Sequence, residues 1–221
     1  MSIWLLLALV FAGMEVLAIW QGWQRVEYIA KPAVLLSLIV WLAVTTGFQG
    51  NSLWFGLGLL FSLLGDILLL FPHERMFLAG LVAFLFTHVF YIIGFQEQLI
   101  HLSAWALLLL FLIMLNAVRL LRRIATAMRA NGRDRMIYPV ILYGLVISLM
   151  LYAAMSTLSD HDWNTGAAFL VSIGAFLFWI SDLMVAWNKF VSPLRWGRLP
   201  ALMTYHLGQI SLIAGVIRQF G

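Results

Sequence analysis

"SLWFGLGLLFSLLGDILLLF", residues 52–71, is long enough to cross the hydrocarbon of a bilayer as a helix, yet it holds one charge, Asp66. A spanning helix needs about 20 mostly apolar residues, and this run supplies them. Further windows of the same kind lie at about 2–20, 30–47, 76–96, 99–118, 138–158, 165–187 and 200–219. The chain is 64% hydrophobic and only 10% charged, with a mean hydropathy of +1.00. Soluble domains run near half apolar and a quarter charged. The reading is therefore all-α: a polytopic membrane bundle of eight transmembrane helices, forming one domain over residues 1–221. Met1–Trp20 lacks a basic start and a small-residue cleavage site, so it reads as a span and not as a leader. The absence of Cys excludes disulfides, thiolate catalysis and Cys-type zinc sites.

Charge placement sets the expected orientation. With eight spans, alternate loops hold Arg25 and Lys31, then Arg75, then six Arg from 119 to 135, then Lys189, Arg195 and Arg198. Only Arg218 falls on the other side. Cytoplasmic loops collect Lys and Arg, so both termini are expected on the non-cytoplasmic side. The Arg-rich segment "RLLRRIATAMRANGRDR" (119–135) reads as a topology signal resting at the headgroups. No aromatic residues interleave with it as stacking platforms, so nucleic acid is not an expected partner. Short loops and no organellar signal point to a bacterial inner membrane.

Asp66 stands five residues before Phe71, and Asp182 in "FLFWISDLMVAW" (176–187) five before Trp187. At 1.5 Å per residue both acids lie about 8 Å inside the cytoplasmic boundary. An acid at a helix centre costs about 2.5–3.5 kcal/mol on insertion, and such residues face the bundle interior or a wet cavity. Small residues mark that face: Gly58 and Ser62 lead to Asp66, while Gly174 and Ala186 flank Asp182. Both acids have Gly eight residues earlier and a small residue (Gly65, Ser181) immediately before, as in a worn four-plus-four parallel repeat. Lys31 opens the second span from the same side. His88 and Tyr91 are i, i+3 neighbours deeper in span four, and Tyr205, His206 and Gln209 share the first turns of span eight. These positions are expected to line one cavity opening toward the cytoplasm, with spans five and six as scaffold. Pro32, Pro72, Pro139 and Pro200 are expected at span ends, where a missing N–H costs least. Glu15 is either an interfacial acid or a site residue, and a structural ion pair with Lys31 is the plain alternative for either Asp.

The segments "KP" (31–32), "GLLFSLLGDILLL" (58–70), "FLAGLVAFLFTHVFY" (77–91), "GAFLFWISDLMVAWNKF" (174–190) and "YHLGQISLIAG" (205–215) resemble the YhhN-like lysoplasmalogenase family, in order and over nearly the whole chain. The resemblance implies an eight-span membrane hydrolase. It would cleave the vinyl ether bond of a lysoplasmalogen to a fatty aldehyde and glycerophosphoethanolamine or glycerophosphocholine. Carried across, Asp66 and Asp182 take the catalytic positions, with Lys31, Ser62, His88, Tyr91, Ser181, Tyr205, His206 and Gln209 around a lysophospholipid substrate. Vinyl ether hydrolysis needs a proton donor and an anion to steady an oxocarbenium ion, roles that paired carboxyls divide in glycosidases. No cofactor is expected. Two alternatives stay open: a zinc hydrolase drawing on Asp66, Asp182, His88 and His206, and a proton-coupled lipid carrier.

Overall fold

The computed structural model describes residues 2–96 and 104–221. Among these the chain forms α1 (Ile3–Gln21), α2 (Gln24–Thr46), α3 (Ser52–Leu69), α4 (Glu74–Phe95), α5 (Ala104–Ala130), α6 (Ile137–Ser156), α7 (Thr165–Phe190) and α8 (Leu199–Phe220), with no strand. Short 3-10 turns precede and follow α6. Seven helices are long and apolar enough to cross a membrane. The remaining one, α5, carries Arg119, Arg122 and Arg123 in its second half. The fifth expected span, 99–118, begins in residues 99–103, which lie outside the described residues.

Helices outrun the apolar windows. Gly22, at φ +73°, caps α1, and the Trp23 N–H bonds back to Ala18 O at 2.8 Å, so the chain turns into α2 in two residues. Because α2 starts at Gln24, Lys31 lies two turns inside it, and Pro32 sits in the helix interior instead of at its end. That corrects the expected placing of Pro32; the amphipathic turn carrying Glu27 had hidden the true start. Likewise α7 continues to Phe190, so Asp182 stands eight residues from its helix end, against three for Asp66. The matched depth of the two acids belongs to the apolar runs and not to the helix ends.

Glycines decide how closely α7 and α8 pack. A Cβ on Gly174 would lie 2.5 Å from Leu212 N and 2.7 Å from Gly208 O; one on Gly208 would lie 2.9 Å from Gly174 O. The obstacles are backbone atoms, which cannot swing aside. Small residues at helix crossings allow this approach in lipid, and it brings Ser181 Oγ within 2.8 Å of Ala201 O, to which it donates. Overpacking costs about 1–3 kcal/mol when a core can yield, and here it cannot. Gly208→Val is accordingly expected to lose monodisperse folded protein in detergent, read by size exclusion and thermal melting. A variant melting like the parent would refute the close crossing.

Candidate active site

Asp66 is buried on α3 and held from two other helices. Lys31 Nζ of α2 is 3.2 Å from Oδ1, and the Tyr205 hydroxyl of α8 donates to Oδ2 at 2.9 Å. A buried charge persists only when paired and hydrogen-bonded, and both conditions are met.

Asp182 on α7 is held in a parallel way. The Tyr143 hydroxyl of α6 donates to its Oδ2, and His88 Nε2 of α4 lies 3.4 Å from the same oxygen. His88 Nε2 is also 3.0 Å from the Tyr143 oxygen. Since that phenol gives its proton to Asp182, Nε2–H donates to it, which assigns the imidazole proton to Nε2. Consistently, Nδ1 is buried without a partner. Here the expectation for span six fails. Tyr143 is no scaffold residue: it is the nearest hydroxyl to Asp182.

Each acid thus takes one partner from its own half of the chain and one from the other. Asp66 uses α2 and α8; Asp182 uses α6 and α4. The pairing α2–α6, α3–α7, α4–α8 is the one a four-plus-four repeat would give.

Behind the acids runs a second set of polar contacts. Tyr91 donates to Gln209 Oε1 at 2.9 Å, Gln209 Nε2 donates to Ser62 Oγ at 2.8 Å, and Thr87 Oγ1 donates to Gly58 O at 3.1 Å. All four side chains are fully buried and fix α3, α4 and α8 together. Glu15 Oε2 lies 2.6 Å from His206 Nε2, joining α1 to α8, so Glu15 is an interior residue and not an interfacial one. Thr87 and the Glu27–Arg198 pair at 2.5 Å had no distinguishing signal in the sequence.

A cavity of about 410 Å³ meets both acids. That volume falls in the range of small-molecule sites, about 300–1,000 Å³. Of the expected site residues, Glu15, Lys31, Asp66, Ser181, Asp182 and Tyr205 line it; Ser62, His88, Tyr91, His206 and Gln209 stand behind its wall. Tyr143, Glu27 and Arg198 also line it. Among the described residues no three His, Asp or Glu side chains converge as a metal site. His88 stands with Asp182 and His206 with Glu15, so the donor set of the zinc reading is divided. Asp66 and Asp182 border one and the same cavity.

The family model described as the YhhN family matches residues 26–216. Mouse (Mus musculus) lysoplasmalogenase TMEM86B is 31% identical over 201 residues, covering 90% of this chain and 78% of the relative. Human (Homo sapiens) lysoplasmalogenase TMEM86A is 32% identical over 157 residues, covering 69% of this chain and 60% of the relative. The uncharacterized membrane protein YhhN of Escherichia coli O157:H7 is 36% identical over 92 residues, 42% of this chain and 43% of the relative. No solved structure matches.

Proposed function

The chain belongs to the YhhN family of integral, multi-pass membrane proteins, and from that premise we propose that it is a lysoplasmalogenase. It hydrolyses the vinyl ether of a lysoplasmalogen to a fatty aldehyde and a glycerophosphodiester of ethanolamine or choline. The observation that carries this reading is one cavity bordered by both aspartates, charged at one end and apolar at the other. The lysoplasmalogenase names of the relatives support it. The chain is taken as one eight-span domain in a bacterial inner membrane, its termini outside and its site open to the cytoplasm.

One aspartic acid delivers a proton to the β-carbon of the vinyl ether, and the electron pair of the C=C bond forms the new C–H bond. The α-carbon becomes part of an oxocarbenium ion, which the other carboxylate steadies across a low-dielectric gap. Water adds to that carbon and loses a proton to the second carboxylate. The hemiacetal then collapses as its hydroxyl proton moves to the glycerol oxygen, giving alcohol and aldehyde, and the proton held by the second carboxyl returns to the first through water. Lys31 and Arg198 stand at the charged end, where a phosphate is expected to rest.

Purified protein in detergent, given an alkenyl lysophospholipid in D₂O, is expected to release aldehyde and glycerophosphodiester in equal amounts. The aldehyde, trapped by reduction, should carry one solvent deuterium at C2, the former β-carbon. A saturated alkyl ether should stay intact, having no double bond to protonate. Movement of intact lipid without aldehyde would instead make the protein a carrier, and aldehyde free of C2 label would refute the protonation step.

A further inference from the structure

The two ends of the cavity are made by different helices. Glu15, Glu27, Lys31 and Arg198 charge the end under α1, α2 and α8. The opposite arm is walled by α5 and α6. From α5 it takes Ala117, Leu120, Leu121 and Ile124, at i, i+3, i+4 and i+7, which is one helix face. From α6 it takes Val140, Gly144, Ile147 and Ser148, again on one face and spanning about 12 Å of helix.

The α5 and α6 walls of this arm offer a ligand almost nothing polar; Asn188 and Lys189, which also line the cavity, come from the last turn of α7. Ser148 is the hydroxyl residue of those two walls, and that group is already used twice. It donates to Gly144 O at 2.7 Å and accepts from Trp179 Nε1 at 3.1 Å. Tyr143, at the entrance, is committed to Asp182. The two wall helices touch at one place: a Cβ on Gly144 would lie 2.5 Å from Leu121 Cδ2. Unlike the backbone obstacles at Gly174, this one is the tip of a side chain, so added bulk displaces Leu121.

We propose that the α5–α6 arm is the slot for the hydrocarbon chain of a single-chain lipid, and that Gly144 and Leu121 set how much chain it admits. The proposal rests on the lysophospholipid reading and adds an orientation to it. The headgroup lies under α1, α2 and α8, the chain passes Asp182 and Tyr143, and Trp179 bonded to Ser148 closes the far side.

The test is binding of uncleavable alkyl-ether lysophosphocholines with butyl and decyl chains, below their micelle concentrations, beside aldehyde release from matching alkenyl substrates. For the parent, each added methylene that enters the slot should tighten binding by roughly fourfold. Gly144→Val should weaken decyl binding by roughly tenfold or more and leave butyl binding within about twofold. Leu121→Trp, which fills the slot from the other helix, should do the same and serves if the valine variant fails to fold. Equal weakening of both chains, or a parent indifferent to chain length, overturns the slot. Chain-selective binding with no aldehyde would keep the slot and sink the ether-cleavage reading. Aldehyde release with no chain selectivity would do the reverse.

Discussion

Asp66→Asn and Asp182→Asn are each expected to lower aldehyde release by about 10²–10⁴-fold, the span that general acid–base groups contribute. A carboxamide matches the carboxyl in shape, so packing survives, but it can neither deliver the proton nor stabilise a cation. The two variants should fail differently. At Asp182 an amide oxygen in the Oδ2 position keeps both the Tyr143 hydroxyl and His88 Nε2–H as donors, so the hydrogen bonds survive and the exchangeable acid proton is what is lost. At Asp66 the loss is of charge, and the Lys31 ammonium remains without its counterion. Acting as a unit, the pair should be non-additive, so the double variant is expected to be little worse than either single one. Thermal melts and size exclusion separate chemistry from folding. Turnover close to the parent in either variant would remove that residue from the mechanism.

Lys31→Met should lose stability together with activity. Lys31 is mostly buried and Asp66 almost wholly so, with 3.2 Å between their charged atoms. Removing one partner of a buried pair costs about 3–5 kcal/mol, because the other is left uncompensated. For a chain of this size that corresponds to a melting temperature lower by roughly 10 °C. The companion variant Lys31→Met with Asp66→Asn should regain most of the lost stability, since neither charge then remains, while staying inactive. A single variant as stable as the parent, or a double variant no better than the single, would show that the pair is not held as described.

Most of the helices were legible because lipid demands long apolar runs and leaves few alternatives. What the runs concealed was their true ends. A helix continues past the hydrocarbon wherever water or headgroups satisfy its side chains, so α2 gained a turn and a half before its apolar core and α7 ran on through Lys189. Acids announce themselves in such a sequence through their cost, and Asp66, Asp182 and Lys31 were found that way. Partners that carry no charge do not. Tyr143 looks like one more aromatic in an apolar helix, and Thr87 like one more small residue. Their roles come from α6 and α4 turning those faces toward α7 and α3. His88 and His206 were visible, but their separate pairings depend on helix contacts that periodicity does not encode.

The distribution of partners along the chain has a consequence for biogenesis. Lys31 leaves the ribosome before Asp66, and both His88 and Tyr143 leave it before Asp182, so each of the two aspartates enters the translocon with a counterpart already waiting. Glu15 has none until His206 arrives 191 residues later. Helix α8 brings Tyr205, His206 and Gln209 together, completing the contacts of α1, α3 and α4 in one insertion step. A nascent chain stalled before α8 would therefore hold the Glu15 carboxylate without the imidazole that joins α1 to α8 in the finished bundle.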